Sequence, residues 1–149
     1  MTESPGPELE HFRKLERMYA AAPINRWYAP SLSVSSGRAE VRIPLRPEFH
    51  HSAGATHGSV YFKALDDATF FAANSLVDDA FVLTVRFELD LLRPVVTGEL
   101  RAVAKVTERG ERRITAEGEL FDAEGKVIAR GKGSFALSKI PLTPAVHYI

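Results

Sequence analysis

The hydrophobic pattern of this chain changes period along its length, and each change marks a new element. From Glu8 to Ala22, Phe12, Leu15, Tyr19 and Ala22 recur at helical spacing, and Pro23 closes the segment. Leu32 to Ser35 reads as a short strand, with a turn near Ser36-Gly37. Ala39, Val41, Ile43 and Leu45 then alternate with Glu40, Arg42 and Pro44, the pattern of a strand with one buried face. A loop over 46–56, rich in His, Ser, Gly and Pro, leads to a helix from His57 to about Ser75 or Leu76. Val60, Ala64, Leu65, Ala68, Phe71 and Ala72 form one broad apolar face on it. Phe62, Phe70 and Ala73 carry apolar surface round to Asp66, so most sides of this helix are hydrophobic and it belongs in the core.

The second half is strand pattern throughout: Val85–Leu91, Leu100–Val106, Ile114–Leu120 and Val127–Leu137. Turn signals separate these runs at Pro94–Gly98, Glu108–Glu111 and Asp122–Gly125. Short turns between long strands predict an antiparallel meander. The fold class is therefore α+β, an antiparallel sheet curled around one long central helix, with an extra N-terminal helix. One domain over 8–140 accounts for the pattern, between a flexible lead-in at 1–7 and a C-terminal tail at 141–149 expected to pack on a neighbour. A single sheet of this size leaves open strand edges, and pairing of two copies is the simplest way to cover them.

Composition narrows the function classes. The 149 residues carry 19 basic and 19 acidic side chains, so no net field favours nucleic acid or a membrane surface. The absence of cysteine removes thiolate catalysis and zinc–thiolate sites. The first residues lack the order of a signal peptide and no apolar run is long enough to span a bilayer. The expectation is a soluble cytoplasmic protein.

Chemistry concentrates between Ala55 and Asp67. His57 and Gly58 stand where the core helix begins, and a helix start offers unpaired N–H groups and the positive end of a dipole to developing negative charge. Asp66 follows two turns later inside an apolar segment, where a carboxylate is expensive unless it is paired or has a task. Asp67 shares a stripe with Lys63 and reads as half of a local ion pair. Lys63 also stands within reach of Asp66, which would make both acids structural. His50, His51 and His57 match no standard metal spacing, so no metal is expected. Gly-x-Ser-x-Gly and phosphate-cradling glycine loops are absent. Arg109, Arg112 and Arg113, with Arg93, Lys105 and Lys132, read as solvated surface, or as a docking place for the phosphates of coenzyme A.

Gly54-Ala-Thr-His-Gly58, the helix with Asp66, Leu91-Leu-Arg-Pro94 with Gly98, Asp122-Ala-Glu-Gly-Lys126 and Ala129-Arg-Gly-Lys-Gly-Ser-Phe135 together resemble the hot-dog fold acyl-CoA thioesterases. The likeness is greatest to the branch named for the phenylacetate-pathway enzyme, and it covers roughly residues 30–138. It implies hydrolysis of an acyl thioester, with no cofactor beyond the coenzyme A of the substrate. It implies a homodimer or homotetramer with sites at the subunit interface. By the same resemblance, Gly58 offers its N–H to the thioester oxygen, His57 shapes the turn, and Asp66 is general base or nucleophile. Thr84 stands where a partner-subunit hydroxyl orients the water. Ser59 replaces a second glycine and His51 an asparagine that positions substrate, so both are substrate-binding candidates, with Phe62 and Phe70 lining an acyl channel. Two other functions fit the same residues. One is a non-catalytic acyl-CoA-binding or assembly domain; the other is a hydroxyacyl-thioester dehydratase using His51 or His57.

Overall fold

The computed structural model describes residues 6–149. Helix α1 spans Pro7–Ala21 and a short α2 spans Asn25–Tyr28. Strands β1 (Ser31–Ser35) and β2 (Arg38–Pro44) precede the long helix α3 (Gly58–Asn74). Four strands follow it: β3 (Ala80–Leu91), β4 (Glu99–Arg109), β5 (Arg113–Phe121) and β6 (Val127–Pro141). The six strands form one antiparallel sheet in the order β1-β2-β4-β5-β6-β3. Of the 1–7 lead-in, 1–5 fall outside the described residues, while Pro7 is already the first residue of α1.

The sheet wraps α3, whose Val60, Ala64, Leu65, Ala68 and Ala72 are fully or nearly fully buried against it. The strands make room for the helix with glycines. A β-carbon on Gly118 would stand 3.1 Å from the Leu65 side chain, and one on Gly131 would stand 2.7 Å from the Phe87 ring. On the other face of the sheet, Arg38, Lys105, Glu117, Lys132 and Glu88 form one cross-strand row of charges. Solvent-facing charge opposite an apolar inner face is what alternation along the strands requires.

Strand β3 starts five residues earlier than its alternation predicts. The buried Asn74 side chain fixes that start: Nδ2 donates to the carbonyls of Val77 (3.0 Å) and Ala80 (3.1 Å), and Oδ1 accepts from Val82 N–H (3.0 Å). A bulge between Thr84 and Arg86 leaves Val85 without a partner on β6, breaking the two-residue period there. The tail packs on its own chain. The Tyr148 hydroxyl lies 2.7 Å from His11 Nδ1, and Arg17 Nε donates to the Ile149 carbonyl at 2.6 Å.

Candidate active site

Asp66 is half-buried on α3 and lines a cavity of about 280 Å³. Its Oδ1 accepts a 2.9 Å hydrogen bond from the Thr84 hydroxyl. Thr84 was expected to act from a second subunit; here it reaches Asp66 within the same chain. Burial pushes the Asp66 carboxyl up to about 6 from its ordinary 3.8, and the negative charge of Asp67 adds to the effect. The Thr84 hydrogen bond and the Lys63 charge pull the other way.

Asp67 has a different environment one residue on. Lys63 Nζ stands 2.6 Å from its Oδ2, and the Tyr19 hydroxyl donates to the same oxygen at 2.6 Å. The ammonium also lies over the rings of Tyr19 and Tyr28, 5.2 Å from each centroid. Lys63 is thus committed to Asp67, as the shared stripe predicts, and Asp66 keeps one neutral hydroxyl as its hydrogen-bond partner. Two adjacent carboxylates on one helix are thereby separated in role.

At the start of α3, His57 is the N-cap. Its Nδ1 accepts from Ser59 N–H at 3.0 Å and stands 2.8 Å from the Ser59 hydroxyl. Val60 N–H bonds to the His57 carbonyl, while the Gly58 N–H has no partner among the described residues. Gly58 is close-packed, since a β-carbon there would stand 3.1 Å from Leu91 Cδ1.

The eight residues from Gly58 to Asp66 correspond to about 12 Å along the helix axis. A donor to a carbonyl oxygen and a base acting on water at the adjacent carbon must lie within roughly 6–7 Å of each other. One chain therefore does not bring its own Gly58 and Asp66 onto one thioester. None of His51, His57, Gly58 and Ser59 lines the Asp66 cavity. His51 is exposed in its loop, its Nδ1 accepting from Ala53 N–H at 3.1 Å. Phe70 does line the cavity. Phe62, expected beside it, does not line it; Phe62 is exposed and packs edge-on against Phe87 on β3 at 5.1 Å instead.

A larger hollow of about 660 Å³ lies on the outer face of the sheet, lined by charges of both signs that include Lys105 and Lys132. It holds ion pairs such as Arg130–Glu119 at 3.2 Å, and Asp66 and Gly58 take no part in it. Arg109 is turned to the Leu76 carbonyl at 3.0 Å. No group of three or more metal-ligating side chains occurs among the described residues, and no helix there is long and apolar enough to cross a membrane.

A family profile described as the thioesterase superfamily matches residues 53–129, more than half of the chain and the whole of α3. The chain belongs to the thioesterase superfamily. A Saccharolobus solfataricus protein bearing the name "Putative esterase" is 29% identical over 126 residues, covering 85% of this chain and 86% of that one. Among solved structures, the PaaI protein of E. coli, from the phenylacetic acid degradation operon, superposes with a TM-score of 0.83 at 21% identity. It covers 93% of this chain and 100% of that chain. A conserved protein of Pseudomonas aeruginosa gives a TM-score of 0.76 at 27% identity over 82% and 98% of the two chains. The fold of this superfamily member is the hot-dog fold.

The alternation patterns did not mark Tyr19, Met18, Phe81 and Leu83 as parts of the Asp66 site. Tyr19 stands in the apolar stripe of α1, and its hydroxyl was the one sign of a polar partner. Phe81, Val82 and Leu83 are apolar in succession, so no period separates the residue facing the cavity from its neighbours.

Proposed function

We propose that this superfamily member hydrolyses acyl-CoA thioesters, with Asp66 as general base and the Gly58 N–H of a second copy as oxyanion donor. The observation that carries the reading is the Asp66 carboxylate, held by Thr84 alone in a largely apolar cavity while Lys63 is engaged by Asp67. With Oδ1 occupied by the Thr84 hydroxyl, Oδ2 is the oxygen available to water. Asp66 takes a proton from that water as its oxygen attacks the thioester carbon. The carbonyl electrons move onto oxygen, where the free N–H at the positive end of α3 receives them. Collapse of the intermediate expels the thiolate, which leaves as coenzyme A after protonation. A carboxyl near 6 is well matched to a base working around neutral pH.

The second copy enters because the site is incomplete in one chain. β3 is an edge strand of 12 residues with one neighbour, and its Leu83, Val85 and Leu91 are exposed. An apolar edge of that length calls for a partner. An antiparallel two-fold pairing centred between Phe87 and Glu88 would set Leu91 of one copy, and the Gly58 beside it, opposite Thr84 and Asp66 of the other. The dehydratase alternative is less well supported, since His57 Nδ1 is engaged by Ser59 and His51 by its own loop. The deciding assay follows free thiol released from a panel of acyl-CoA substrates. Asp66→Asn should lower kcat/KM by about a hundredfold or more with the fold intact; retention of wild-type turnover would exclude Asp66 as the base.

A further inference from the structure

Three elements line the Asp66 cavity. α3 supplies Asp66 and Phe70, and β3 supplies Phe81, Leu83 and Thr84. The opposite wall is the last turn of α1 with the connector behind it, through Met18, Tyr19 and Ile24. That wall is firmly held. Tyr19 donates its hydroxyl to Asp67, sits edge-on to Phe71 at 5.0 Å, and gives its carbonyl to Asn25 Nδ2 at 2.7 Å. Asp67 is itself clamped by Lys63, with the side chains only 16% and 11% exposed. Breaking a charge-assisted bond in such surroundings strands a buried charge, so the turn resists displacement by a ligand.

Away from its acid end the lining is apolar, and its volume is small. At about 280 Å³ it lies at the lower end of the range for ligand pockets. On the reading of Asp66 as an acyl thioester's base, we propose that the last turn of α1, latched through Tyr19 to Asp67, forms the far wall of the acyl pocket. Met18 and Ile24 there limit the length of acyl group the pocket accepts. Selectivity for acyl length then resides in the helix that precedes the sheet, outside the residues 53–129 matched by the superfamily profile.

The test uses non-hydrolysable S-alkyl-coenzyme A thioethers of graded length, with affinity measured by calorimetry on the full chain. For the wild type, each added methylene should improve Kd about threefold to fourfold up to a break short of about 14 carbons, and longer chains should gain nothing or lose. Met18→Ala should move that break about two to three carbons further, by the volume it vacates. Ile24→Ala, at an exposed position, should move it in the same direction. The proposal is overturned if wild-type affinity keeps rising through about 14 carbons, if both variants break where the wild type does, or if no thioether binds. Thioethers that obey the limit while the matching thioesters stay uncleaved would instead refute the hydrolytic reading and leave the length limit standing.

Discussion

At Asp66 one environment sets both the chemistry and a stability penalty. Its carboxyl is raised to about 6, so kcat/KM should climb with pH through about 6 and level off above it. Thr84→Val removes the hydrogen bond that favours the charged form, which should carry the acid limb of the pH–rate profile to higher pH. Stability should respond with the opposite sense. Between 3.8 and about 6 the native state holds a proton that the unfolded state has released, so stability falls as pH rises through this window. Below the window both states are protonated and the penalty vanishes. Asp66→Asn, neutral throughout, should therefore be more stable than wild type at pH 8 by on the order of 2–3 kcal/mol, and near parity at pH 3.5. Thermal melts of both proteins at the two values check this, and equal shifts at both would show that charge is not the cause. The sequence exposed Asp66 readily, since one acid in an apolar helix conflicts with its surroundings. It marked the Lys63–Asp67 pair for the same reason of spacing. Tyr19 was hidden, because its ring satisfies the apolar period of α1 and its hydroxyl finds Asp67 only after folding.

The elements hold these groups in register through a few polar contacts. Asn74 joins the end of α3 to the start of β3, and this junction places Thr84 beside Asp66. Asn74→Ala leaves the Val82 N–H buried without a partner and should destabilise the protein by about 1–3 kcal/mol in urea unfolding. The opening turn of α3 offers the complementary case. Gly58 has no positive φ, and the atom a β-carbon would meet is the flexible end of Leu91. Gly58→Ala should thus change stability by about 0.5 kcal/mol or less while lowering kcat/KM about tenfold or more by crowding the thioester oxygen. A stability loss in proportion to the rate loss would make Gly58 a structural glycine only. At this scale the sequence was most informative. β2 and β5 keep a two-residue period against one buried face, so their spans follow from alternation, and β4 does so as far as Val106, where a bulge shifts its phase. β3 does not: Asn74 starts it by side-chain hydrogen bonds that no periodicity records, and the Val85 bulge shifts its phase midway. The four-residue α2 is too short to show a period.

In the whole molecule, one chain carries half of one proposed site at the start of α3 and half of the other at its middle. The distance of about 12 Å between Gly58 and Asp66 is fixed by the helix and cannot be relaxed by side-chain motion. If two copies pair along β3, each active site takes its oxyanion donor from one chain and its base from the other. Mixing two inactive variants then has a definite consequence. Asp66→Asn keeps its Gly58, and Gly58→Val keeps its Asp66. In a mixed dimer of the two, one site inherits both intact groups and the other inherits both defects. Co-expression with distinct tags, followed by purification of the doubly tagged species, should recover about half of the wild-type kcat per dimer, because the two sites are equivalent by symmetry. Sites built within single chains predict the reverse, since every chain in the mixture would carry one lesion and no activity could return. A mass measurement in solution guards the interpretation: wild type should be at least dimeric, and Val85→Lys, which puts a charge on the open edge, should shift it toward monomer and remove thiol release together. Full activity in a demonstrated monomer would refute the shared site and return the chemistry to one chain.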